Sequence, residues 1–119
     1  MKTKILIVAF FLISQFSFTQ TEQDYEAVVE NVTKLFNNKE ATTIFELLSP
    51  SYQAKLPVEA MKAKLDGMHD SLGKITSYEY WMEGEQGVGY TLEFEKATMI
   101  MLIKLDENKK VDNMTLEEY

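Results

Sequence analysis

The chain has 119 residues, a formal net charge of −7 and no cysteine. All 12 of its basic side chains are lysine; an acidic chain without arginine is poorly suited to phosphate or nucleic acid and lacks the basic face that draws proteins to anionic bilayers. With no disulfide available, stability has to come from packing.

The first 19 residues, "MKTKILIVAFFLISQFSFT", read as a secretory signal peptide. Lys2 and Lys4 form the basic end, Ile5–Ile13 the apolar run, and Ser17 and Thr19 the small residues before a cleavage at Thr19/Gln20. An apolar run of nine residues is too short for a membrane anchor, which needs about 20. No cysteine follows it to carry a lipid. The expectation is a periplasmic or secreted protein, free of the membrane after cleavage, with residues 20–119 forming one α+β domain.

Helical periodicity opens that domain. Tyr25, Val28, Val29, Val32, Leu35 and Phe36 share one helix face, with Thr21 placed to cap it and Glu22 and Asp24 in the first turn. Asn37-Asn38 predicts its end through a left-handed asparagine. Ile44, Phe45, Leu47 and Leu48 mark a short second helix, stopped by Ser49-Pro50, a pair that also suits the opening of another turn. Leu56 has to stay extended before Pro57. Pro57 starts a third helix along Met61, Leu65, Met68 and Leu72, closed by Gly73.

From Lys74 the period changes to 2, the mark of strands. Tyr78, Tyr80 and Met82 alternate with polar residues, as do Val88–Phe94 and Met99–Leu105. Short connectors predict an antiparallel meander. A three-residue loop at Glu85–Gly87 would pair Tyr80 with Leu92 and Tyr78 with Phe94. A two-residue turn at Lys96-Ala97 would pair Phe94 with Met99 and Leu92 with Met101. Both registers gather one apolar face under the helices. The opposite face then carries Trp81, Ile100 and Leu102 beside Thr91 and Glu93, an apolar back that suggests a protein partner, most simply a second copy. Met114 and Leu116 fall on either face, depending on the last turn.

The segments "FNNKEATTIFELLSPSYQAKLP", "LGKITSYEY" and "YTLEFEKATMIMLIKLDENKKV" together resemble a family of exported bacterial domains known as domain of unknown function 3887, in the nuclear-transport-factor-2-like (cystatin-like) superfamily. The resemblance covers residues 25–118. It implies three N-terminal helices packed on a curved four-stranded antiparallel meander, a cystatin-like cone. Ala97 and Lys109 stand where the family is expected to have glycine, which points to strained or differently closed hairpins. The family's signature residues are caps and turns, with no catalytic set to carry over. Members occur alone or ahead of a hydrolase domain; with Tyr119 last, none is expected here.

Candidate chemistry is sparse. His69, the single histidine, sits at the shoulder of the third helix with Asp66 and Asp70 nearby; it reads as a half-exposed structural residue before a general base. Tyr78, Tyr80 and Tyr90, with His69, form the candidate pocket for a small apolar ligand, against which stands plain aromatic cross-strand packing. Met99 and Met101 could offer thioethers to Cu(I), but lack further soft ligands and read as core. Glu79, Glu83, Glu85, Glu93 and Glu95 read as a solvated, mutually repelling face. No phosphate loop, nucleophile elbow or zinc-binding helix motif occurs, so no metal and no cofactor is expected. The sequence thus favours an exported, non-enzymatic binding domain that self-associates through its sheet. The alternatives are a small isomerase- or hydratase-like enzyme using the cone pocket, or an accessory protein of an exported hydrolase.

Overall fold

The computed structural model describes residues 21–85 and 87–119; the expected signal peptide lies outside the described residues. Thr21 caps helix α1 (Glu22–Asn37): its hydroxyl accepts from Asp24 N–H, and the Asp24 carboxylate accepts in return from Thr21 N–H. This reciprocal pair satisfies two donors that a helix start otherwise leaves unpaired. The far end departs from the expected left-handed asparagine. Asn38 is near φ −89°, and Lys39 takes the left-handed turn at φ 59°. Lys39 N–H reaches the Phe36 carbonyl and Glu40 N–H the Leu35 carbonyl, the double closure of a Schellman motif.

Three further helices follow: α2 (Ala41–Glu46), α3 (Pro50–Lys55) and α4 (Val58–Leu72). The described residues therefore hold four helices where three were expected. The addition is α3, the turn that Ser49-Pro50 opens: Ser49 accepts from Tyr52 N–H at 3.2 Å, and Pro50 occupies the first helical position. Leu56 is extended before Pro57, as its neighbour's ring requires. Pro57 is itself extended, so α4 begins one residue later than its sequence suggests.

The strands β1 (Ile75–Gly84), β2 (Gly87–Phe94), β3 (Thr98–Leu105) and β4 (Val111–Glu118) form one antiparallel sheet in chain order. Both expected registers are off by two residues. Tyr78 pairs with Leu92 and Tyr80 with Tyr90; Leu92 pairs with Met99 and Tyr90 with Met101. The β2–β3 connection is longer than foreseen, because Phe94 N–H turns back to the Ala97 carbonyl. A shift of two leaves every side chain on its face, so the apolar inner face survives the error.

Beyond Tyr80 the side chains of β1 do change face, and Glu83 comes opposite Val88. The ladder skips a residue between Tyr80 and Met82, making Trp81 the extra residue of a β-bulge. Met82, expected inside, is consequently opposite Gly89 on the outer face and exposed. The ladders also skip at Thr76 in β1 and at Asp112 in β4. All three bulges lie on the two edge strands. Met114 and Leu116 pair with Ile103 and Met101 and so belong to the inner face.

The core joins this inner face to the helices. Val29, Ile44, Leu48, Tyr90, Leu92, Met101, Ile103 and Val111 are almost wholly buried, each worth about 2 kcal/mol relative to exposure. Two polar ties fix the layers. Tyr25 hydroxyl accepts from Leu105 N–H at 3.2 Å, beside the β4 bulge. Val111 N–H donates to the Leu47 carbonyl and Ser49 N–H to the Val111 carbonyl, so the α2–α3 junction adds a short parallel bridge to β4.

Candidate functional site

The tyrosines expected to line a pocket lie together on the inner face of β1 and β2. Tyr90 is buried, and the rings of Tyr78 and Tyr80 meet it edge-on at 6.3 and 6.0 Å. Burial pushes the Tyr90 phenol up to about 12, with Glu26 and Glu22 adding to it, and burial likewise raises Tyr78. The buried Tyr90 hydroxyl has no hydrogen-bond partner among the described residues. His69 has other contacts. Its ring lies 5.4 Å from Phe36, and its Nε2 is 3.3 Å from the Asn37 carbonyl oxygen. Phe36 also meets Phe94 edge-on, so His69 packs at the seam of α1, α4 and β2.

Trp81, Ile100 and Leu102 line one groove of about 340 Å³ on the outer face, together with Met82. Gly89 makes this possible. A side chain there would start 3.1 Å from both the Trp81 ring and Met82, and 3.3 Å from Leu102. The glycine is the floor on which the two bulge residues lie. Trp81 remains 49 % and Met82 42 % exposed. Acids rim the patch: Glu85 and Glu117 on this side, Glu79 and Glu93 on the other flank of Trp81.

A third feature was not foreseen. A cavity of about 180 Å³ opens between α3, α4 and β4. Buried Leu48, Met61 and Leu65 form its back; half-buried Tyr52, Leu56, Met114 and Leu116 form its sides. Ala60 and Lys64, both exposed and one turn apart on α4, stand at its mouth. The Tyr52 hydroxyl donates to the Met114 carbonyl at 3.0 Å and holds α3 to the edge strand. The sequence signal for this cavity was the inward option for Met114 and Leu116.

Among the described residues, no three His, Cys, Asp or Glu side chains converge as metal ligands do. Nor is any helix there long and apolar enough to cross a membrane. These features define a class: an α+β domain whose helices cover one face of an antiparallel meander and leave the other apolar and open. Within that class, the chain belongs to the family described as protein of unknown function (DUF3887), whose model matches residues 29–114. No curated protein and no solved structure matches the chain.

Proposed function

We propose that the chain is an exported, non-enzymatic binding domain that self-associates through the outer face of its sheet. The observation that carries this reading is the bulge at Trp81, which lays two large apolar side chains side by side over Gly89, next to Ile100 and Leu102. A flat apolar strip of this kind gains by burial against a copy of itself, in the two-fold manner commonest among homo-oligomers. The acidic rim sets a condition, since Glu79, Glu93 and Glu117 of two copies repel. Association therefore strengthens as salt screens them.

Export is supported by the sequence of the first 19 residues. A cone of the nuclear-transport-factor-2-like kind is supported by the element order and by three edge-strand bulges, which add twist and bend. The enzymatic alternative has less behind it. The cleft beside Tyr80, lined also by Glu22 and Glu83, holds only about 30 Å³, and His69 packs elsewhere, at the Asn37 carbonyl.

Light scattering on the exported protein tests the reading. A dimer is expected, with Trp81→Glu and Leu102→Glu giving folded monomers. A wild type that stays monomeric at high salt and high concentration overturns it.

A further inference from the structure

We infer that the cavity between α3, α4 and β4 is a binding site for a short aliphatic monocarboxylate, whose tail fills the apolar chamber and whose head meets Lys64. The inference goes beyond the sheet-face reading and does not depend on it.

Three observations lead there. First, the chamber is apolar and of useful size. At about 180 Å³ it exceeds the roughly 150 Å³ of a dry protein cavity that accepts benzene, and suits a tail of roughly six to eight carbons. Second, its walls belong to three separate elements, two of which are tied together by built contacts. Tyr52 ties α3 to the Met114 carbonyl, and Ser49 ties the start of α3 to Asp112 at 2.8 Å. The chamber is thus framed by hydrogen bonds on the β4 side.

Third, the mouth is cationic in a protein that is strongly acidic. The helical neighbours of Lys64 at three and four residues are Ala60, Met61, Gly67 and Met68, none of them charged. The ion pairs among the described residues engage Lys34, Lys39 and Lys109, which leaves the Lys64 ammonium uncommitted. A carboxylate at the mouth gives it a charge-assisted partner, while a neutral or cationic head gives it none. No carboxylate side chain lines the chamber to compete.

The test uses the protein expressed from its full sequence, with octanoate as probe and octanol and octylamine as controls. Titration calorimetry is read beside the NMR methyl signals of Met61 and Met114. Octanoate is expected to bind and shift both methyls, with octanol about tenfold weaker and octylamine silent. Lys64→Glu should lose octanoate and gain octylamine. Ala60→Phe should close the mouth to all three while the circular dichroism stays native. The proposal fails if octanoate leaves both methyls unmoved, if octanol binds as well as octanoate, or if Lys64→Glu leaves the preference unchanged. Since Trp81 and Leu102 take no part, dimer-breaking variants should keep octanoate binding, so the two proposals stand or fall separately.

Discussion

Asn37 and Ile75 are joined as if across a β-ladder: Asn37 Oδ1 accepts from Ile75 N–H at 2.8 Å, and Asn37 Nδ2 donates to the Ile75 carbonyl at 2.9 Å. The last residue of α1 thus supplies the partner that the first residue of β1 would otherwise lack. Its own carbonyl is the one that His69 approaches. Asn37→Ala strips both groups of Ile75 in a half-buried setting and should cost about 2 kcal/mol. Urea midpoints of the two proteins check it. His69→Ala, which removes ring packing on Phe36 and one long contact, should cost less.

Tyr90→Phe is expected to stabilise the fold by about 1 kcal/mol, because it removes a buried hydroxyl that lacks a partner among the described residues. The same group sets an alkaline limb. Its folded pKa is raised to about 12 from 10.0, so the fold favours the neutral phenol. The stability this brings is complete below pH 10 and is lost as pH rises toward 12. Absorbance titration should show a tyrosine ionising near pH 12 that is absent in Tyr90→Phe, while the raised Tyr78 phenol remains.

At the acid end the sign reverses. The Thr21 backbone N–H, helped by Lys109, holds the Asp24 carboxyl below its ordinary 3.8. The ionised capping box therefore supports the fold above pH 3.8, and that support disappears as pH falls through the lowered value. Asp24→Asn should be less stable than wild type at neutral pH, with the gap closing in strong acid. Thermal melts across this range give the comparison.

Lys109 occupies a left-handed turn at φ 63° while its ammonium reaches Asp24 at 3.2 Å. Relief of the backbone strain is worth about 1 kcal/mol, more than an ion pair this open to solvent returns. Lys109→Gly should therefore stabilise slightly, and more clearly at high salt, where the ion pair is already screened. A loss of stability at high salt would contradict this ranking.

Helices and strands were legible because their apolar periods are long and clean. Val29, Val32 and Phe36 were placed in the core by spacing alone, as were Tyr90, Leu92 and Met101. Lys109 stands in a turn where glycine is expected, and it takes the left-handed conformation. Register was not legible. Trp81 follows Tyr80 in unbroken alternation, and nothing in that alternation marks a bulge; only Gly89, across the ladder, reveals the space it needs. The 180 Å³ cavity escaped for a different reason. Its walls lie some 60 positions apart in the chain, as the Tyr52–Met114 bond measures, and Lys64 looks like any solvated lysine until Met114 and Leu116 are known to face it.

The ties between Tyr25 and Leu105, and between Ser49 and Val111, carry a consequence for how the chain is made. Each strand finds its neighbour soon after it emerges, since the sheet follows chain order. Two helical ties wait longer, because the backbone groups that hold Tyr25 of α1 and the α2–α3 junction belong to residues 105 and 111. Until those residues are made, the start of α1 and the α2–α3 junction lack these anchors, although Asn37 can already hold Ile75. A chain cut short before Leu105 should be a client for holding chaperones and proteases rather than a smaller version of the same domain.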